Sequence, residues 1–282
     1  MLGAIIGDIV GSIYEVLEVK CYKELGINRN YEERIKILDK NIGLFSEESC
    51  CTDDSILTCA IADAIINGNC QYEKYLKQYG KNEVNVGVDK YGRSRFGSGF
   101  ISWLNEDSTG ESYGNGAAMR VGPVGYLFNT LDEVIENSKL ATIPSHNHID
   151  AIKGAEAIAV TIFLLRMGYA KDYVYKYVVE NYYELNYDLK DLQMNNIFSS
   201  KSDITVPQAL FIFFQSCDFE DAIRKAISIG GDSDTIACIV GSISEAYYGI
   251  PDLLIEQSKK YLPDYMKIIK DNFYEIIEVI KS

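Results

Sequence analysis

Apolar positions in this chain gather into stretches that are hydrophobic around most of a helical turn, and these stretches predict helices. Residues 1–16 (MLGAIIGDIVGSIYEV) form the first. Gly3, Gly7 and Gly11 recur every four residues there and line one helix face with hydrogen atoms. Such a face permits close approach of a second helix, although each glycine costs ~1 kcal/mol of helix propensity. Residues 55–66 (SILTCAIADAII) and 151–166 are apolar nearly all round and read as buried helices. Residues 207–215 predict a short helix with Pro207 in its first turn. Residues 232–248 repeat the small-residue pattern with Ala237, Gly241 and Ser244, and residues 265–281 form an amphipathic helix. No run alternates with the period of a strand. The polar segments 28–48 and 91–116 read as loops, the second Gly-rich and longer than a connection requires. The pattern predicts an all-α fold in a single domain, residues 1–282.

Composition narrows the function. Forty-one acidic residues against 27 basic ones give 282 residues a net charge of −14. That balance repels nucleic-acid phosphates, and no basic cluster offsets it, so no duplex nucleic-acid partner is expected. The apolar run 157–165 stops at Arg166, short of the ~20 residues a bilayer span needs. The N-terminus lacks a basic start and meets Asp8 early, unlike a signal peptide. No membrane partner is expected either. Seven cysteines (Cys21, Cys50, Cys51, Cys59, Cys70, Cys217 and Cys238) form no CxxC pair, so neither zinc nor a disulfide framework is indicated, and a cytoplasmic location is expected. The two histidines, His146 and His148, sit in one short segment. A metal site elsewhere must use oxygen ligands, which favours Mg²⁺ or Mn²⁺. A serine nucleophile with a histidine base could be built only around residues 145–148, and no GxSxG elbow accompanies it.

Two acidic motifs open apolar helices. Thr52-Asp53-Asp54-Ser55 runs into the helix at 55–66, and Gly230-Gly231-Asp232-Ser233-Asp234-Thr235 into the one at 232–248. Asp and Thr are favoured helix caps, so one such motif alone signifies little. Two of them, brought together by packing of their helices, would set carboxylates against one another unless cations neutralise them. Asp53, Asp54, Asp232 and Asp234, with Thr52 and Thr235, offer enough oxygens for two such ions. Asp8 and Glu15 lie two turns apart on one face of the first helix. Taken alone they read as a solvated face. The loop 112–120 (SYGNGAAMR) can form an anion-binding nest of backbone N–H groups, or a plain turn before Val121-Gly122-Pro123.

In this order, GDIVGSIYE (7–15), TDDSILT (52–58), SYGNGAAMRVGP (112–123), SHNHIDAIKGAEAIA (145–159) and GGDSDTIACIVGSISEAYYGIP (230–251) closely resemble the ADP-ribosylglycohydrolase family. The resemblance implies an all-α fold with two Mg²⁺ or Mn²⁺ ions at the bottom of an ADP-ribose cleft. It implies Thr52, Asp53, Asp54, Asp232, Asp234 and Thr235 as metal ligands, and Asp54, Glu15 and Asp234 as the carboxylates nearest the chemistry. It implies that Ser112, Tyr113, Gly114, Asn115 and Gly116 contact diphosphate and ribose, with Gly97, Ser98 and Gly99 as a further Gly-rich contact. His146 matches a histidine near the phosphates, with His148 the structural alternative. The implied reaction is hydrolysis at C1 of the distal ribose of an ADP-ribosylated protein or small ADP-ribosyl conjugate, through a transition state with positive charge at that carbon. Arginine is the expected linkage, because an acidic cleft attracts a guanidinium leaving group. Serine linkage, a non-catalytic ADP-ribose reader and a metal phosphohydrolase are the alternatives. Two departures stand out: Glu111 replaces a Gly of several relatives, and Ser233 a common Thr. The segment 19–48 does not align.

Overall fold

The computed structural model describes residues 1–25, 29–86 and 94–281. Among these, fifteen α-helices follow one another. The first seven are α1 (Leu2–Leu25), α2 (Tyr31–Ile35), α3 (Asp53–Ile66), α4 (Tyr72–Val86), α5 (Ser98–Leu104), α6 (Gly122–Leu127) and α7 (Leu131–Thr142). Next come α8 (Ile149–Arg166), α9 (Lys171–Asn181), α10 (Leu189–Asn195), α11 (Ser202–Phe214), α12 (Phe219–Ser228), α13 (Ser233–Tyr248), α14 (Asp252–Ser258) and α15 (Asp264–Lys281). Extended pairing among the described residues consists of isolated bridges, Glu111 with His146 and Gly114 with Lys201 among them. The fold is all-α. No helix among the described residues is long and apolar enough to cross a membrane.

The centre of the molecule is the contact between α1 and α13, and glycines make it. A Cβ on Gly3 or Gly7 would overlap the backbone carbonyls of Gly241 or Ala237, and one on Gly11 would stand 2.5 Å from the Asp234 Cα. The two helices therefore touch backbone to backbone along three turns. Glu245 of α13 completes the seam by accepting from the Met1 amine and the Gly3 N–H, both at 2.7 Å. The Leu2 N–H goes to the Tyr274 hydroxyl at 3.0 Å, so donors orphaned at the start of α1 find partners. Around this pair α8, α11 and α12 pack on α13, while α3 contacts α1, α4, α6 and α15. Buried apolar residues from Met1 to Ile277 form one cluster.

Several elements differ from the sequence expectation. Helix α1 continues to Leu25, nine residues beyond residue 16. Helix α11 starts at Ser202, so Pro207 stands inside it and not in its first turn. Its true start is set by the Lys201 carbonyl, which accepts from the Thr205 N–H at 3.0 Å and the Thr205 hydroxyl at 2.9 Å. The segment 28–48, read as a loop, contains α2 and a 3₁₀ turn, Lys36–Leu38. Segment 91–116 contains α5, entered at Gly97, with residues 91–93 outside the described residues.

Candidate functional site

Close packing of α1 on α13 brings the carboxylates of three helices to one place. Thr52 caps α3, its hydroxyl accepting from the Asp54 N–H at 3.3 Å. Asp8 of α1 then clamps this turn. Its Oδ2 accepts from the N–H groups of Thr52 at 2.9 Å and Ser55 at 3.1 Å, and from the Ser55 hydroxyl. Its Oδ1 accepts from the Thr52 hydroxyl at 2.7 Å. Asp8 is fully buried, which overturns its reading as part of a solvated face; Glu15, on the same side of α1, is partly buried and lines a cleft. Sequence reasoning missed the clamp, although a lone Asp between glycine and isoleucines in an apolar helix was its signal.

The second motif turns on glycines. Gly230 and Gly231 have φ of +65° and +77°, a region open chiefly to glycine, and they swing the chain so that Asp232 stands at the N-cap of α13. Behind this turn lies Arg34 of α2, fully buried, its guanidinium carbon 2.5 Å from where a Gly230 Cβ would be. Arg34 donates to Glu18 of α1 at 2.8 and 2.9 Å and to the Asn196 carbonyl at 2.9 Å. A buried pair thus ties α1 to the back of the acidic turn, from the very segment that could not be aligned.

Asp8, Asp54 and Asp234 each present a carboxylate oxygen within 4.8 Å of the others, and so do Glu15, Asp232 and Asp234. Asp234 belongs to both groups. Burial, followed by the charges of Asp8 and Glu15, pushes the Asp53 carboxyl up to about 8. Burial and then Glu15 raise Asp232 to about 6, though Asn115 donates to it at 2.7 Å. Asp54 and Asp234 are held well above the usual carboxylate range, by burial first and neighbouring carboxylates next. The Asp54 Oδ1 is buried with no hydrogen-bond partner. An all-oxygen set, crowded with like charge and carrying an orphaned carboxylate oxygen, fits hard divalent cations. Thr235 joins it, its hydroxyl 3.4 Å from Asp54 Oδ2.

These groups form the floor of a cleft of 1310 Å³. Every residue singled out as ligand or contact lines it: Glu15, Thr52, Asp53, Asp54, Asp232, Asp234 and Thr235 on the floor, with Gly97, Ser98, Gly99, residues 112–116 and His146 on the walls. The loop 112–116 is pinned at Asn115, whose N–H donates to the Ser200 carbonyl at 2.8 Å. His146 is buried and accepts or donates at Nδ1 with the Ser145 hydroxyl, 2.8 Å away, while Arg120 donates to that same hydroxyl at 2.7 Å. His148 is half-exposed and caps α8 through the Asp150 N–H at 3.3 Å, its ring packed edge-on against Tyr113 of the wall at 5.7 Å. Glu111 also lines the cleft but is exposed.

Comparison with known proteins bears on the fold and the family. The chain is 29% identical to an uncharacterized protein of Archaeoglobus fulgidus over 180 residues, 57% of this chain and only 58% of that one. It is 25% identical to ADP-ribosylhydrolase ARH3 of Xenopus tropicalis across 88% of this chain and 86% of the relative. With ADP-ribosylarginine hydrolase Tri1 of Pseudomonas putida it shares 24% identity over 74% of this chain and 62% of the other. Among solved structures, an ADP-ribosylglycohydrolase-related protein complex superimposes with a TM-score of 0.69 at 18% identity, over 98% of this chain and 95% of that one, a likeness of fold. The family model for ADP-ribosylglycohydrolases matches residues 1–279, from the glycine seam of α1 through both acidic turns to the last helix. On that span of agreement the chain belongs to the ADP-ribosylglycohydrolase family.

Proposed function

We propose that this cleft removes ADP-ribose from a modified protein side chain or small conjugate by hydrolysing the bond at C1 of the distal ribose, and that the whole chain acts as one domain. The observation that carries the reading is the convergence of Asp54, Asp232 and Asp234 with Glu15 on the cleft floor, with one buried Asp54 oxygen unpartnered. Two Mg²⁺ or Mn²⁺ ions would be held by Thr52, Asp53, Asp54, Asp232, Asp234 and Thr235, and would supply polarisation of sugar hydroxyls and of water at neutral pH.

The protein's own groups do the rest. Asp8 fixes the first turn of α3, so Asp53 and Asp54 face the cleft in one arrangement. Asn115 links the wall loop to the floor through Asp232, which sets the depth at which a ligand lying along residues 112–116 meets the acidic cluster. We assign Glu15, Asp54 and Asp234 to take a proton from attacking water; burial and neighbouring carboxylates raise Asp54 and Asp234, which strengthens those two as bases. The linkage we propose is arginine. Glu15, Glu106 and Glu111 line the cleft besides the four aspartates, and a cationic planar leaving group is drawn to such a surface. The Pseudomonas putida relative, an ADP-ribosylarginine hydrolase, supports the same linkage.

The test is a matched pair of peptides carrying ADP-ribose on arginine or on serine, with free ADP-ribose followed by mass spectrometry. Release from the arginine peptide at a kcat/KM at least tenfold higher is expected. The opposite preference overturns the linkage, and no release from either peptide overturns the reading of a modified protein side chain as substrate.

A further inference from the structure

Arg120, Ser145 and His146 stand in the cleft wall with more order than ligand contact alone requires. The Arg120 side chain is buried, with hydrogen bonds from one terminal nitrogen to the Ser145 hydroxyl at 2.7 Å and the Ala141 carbonyl at 3.2 Å. Its Nε and other terminal nitrogen have no partner. A guanidinium only donates, so Ser145 Oγ accepts from it. That oxygen makes one other hydrogen bond, to His146 Nδ1 at 2.8 Å. If Nδ1 carried the ring's proton, the Ser145 oxygen would accept twice and its own hydrogen would be buried without an acceptor. The arrangement that satisfies both the Ser145 hydroxyl and Nδ1 runs one way: Arg120 donates to Ser145, Ser145 donates to Nδ1, and the proton of a neutral ring sits on Nε2.

Nε2 faces the ligand wall. A Cβ on Gly116 would stand 3.0 Å from it, so this glycine leaves that nitrogen room, with Gly114 in ordinary contact distance at 3.9 Å. Burial first, and then the Arg120 charge, hold the imidazole well below its ordinary value of 6.5, so the ring stays neutral at pH 7. We propose that Arg120 and Ser145 are positioning residues that lock His146 as the neutral Nε2–H tautomer, giving the Gly114–Gly116 wall a fixed N–H donor for an acceptor oxygen of the ligand, such as that of a diphosphate. The ligand half of this statement rests on the proposed ADP-ribose function; the tautomer half does not.

Nitrogen-resolved NMR of the imidazoles in the full-length protein separates the two. The chain has two histidines, so His148→Gln leaves the His146 ring as the one signal. A neutral ring protonated on Nε2 is expected without any substitution in the relay. In Ser145→Ala the ring should convert to the Nδ1–H form or to a mixture, and ADP-ribose, titrated by calorimetry, should bind roughly tenfold more weakly, the loss of one hydrogen bond. An Nδ1–H or doubly protonated ring in the unsubstituted relay, or an unchanged Nε2–H ring in Ser145→Ala, overturns the proposal. Unchanged affinity in a flipped Ser145→Ala ring removes the ligand contact. If ADP-ribose binds none of these proteins, the proposed function falls while the tautomer result stands.

Discussion

At the scale of the residue, this site sets charge against stability. Asp53 sits among Asp8, Glu15 and Asp232, and its pKa is pushed up to about 8 because ionising it there is unfavourable. Asp53→Asn keeps the shape and deletes the charge. The metal-free variant should therefore melt at a higher temperature than the wild type at pH 8, by several degrees, while its hydrolytic rate falls by two orders of magnitude or more. Calorimetry in a chelator, paired with a single-turnover assay, checks both halves. A variant that melts lower and still turns over at the normal rate would show that Asp53 is a structural cap. Individual carboxylates of this kind were legible in the sequence, because Asp and Thr doubled at two apolar helix starts have few bland explanations. Asp8 was marked only as a lone Asp in an apolar helix; its role comes from four donors on Thr52 and Ser55, residues more than forty positions away. Ser145 was hidden for a similar reason: a serine beside a histidine says nothing until Arg120 is seen to reach it.

At the scale of the element, the glycine seam decides where the carboxylates stand. In an isolated helix Gly7→Ala would gain ~1 kcal/mol of propensity. Here the new Cβ would overlap the Ala237 carbonyl, and backbone cannot yield as a flexible side chain can. Overpacking at such a contact costs roughly 1–3 kcal/mol or more, so it outweighs the propensity gain. The expected outcome of urea unfolding is a net loss of stability for Gly7→Ala. Gly99→Ala is the matched control. It lies in the first turn of α5 with nothing within 4 Å of its added Cβ, so it should be neutral or slightly stabilising. Destabilisation by both alike would refute the seam argument. The stripe Gly3, Gly7, Gly11 and its partner positions Ala237 and Gly241 were readable as two faces suited to close packing. That they face each other was not readable, for pairing of helices more than two hundred residues apart leaves no local trace. Helices such as α4, α9 and α10 also escaped the pattern, because few of their positions reach the core. Arg34 shows the same limit: a charged residue in a polar stretch reads as loop, yet it is fully buried behind Gly230 and paired with Glu18.

At the scale of the whole molecule, folding concentrates acid groups that the unfolded chain keeps apart. Asp232 and Asp53 titrate at about 6 and about 8 in the fold, against 3.8 in an unfolded chain, and Asp54 and Asp234 are shifted the same way. In that window the folded state holds more protons than the unfolded one, so stability falls as pH rises from about 4 to about 8. This is the reverse of a protein whose acids are paired with bases. A divalent cation bound by the cluster removes the penalty, because it favours the ionised carboxylates that the fold otherwise resists. The melting temperature in chelator should therefore drop between pH 5 and pH 8. Mg²⁺ or Mn²⁺ should raise it more at pH 8 than at pH 5, where protons compete for the same oxygens. At a hundredfold excess over its Kd an ion bound to the folded state alone adds about 2.7 kcal/mol, or roughly 5 °C for a chain of this size. A cation effect of equal size at both pH values would mean that the ion binds elsewhere. A metal-free melting temperature that climbs towards pH 8 would mean that the four aspartates are relieved by the protein itself, and Asp54 would then need a partner that the cleft floor does not provide.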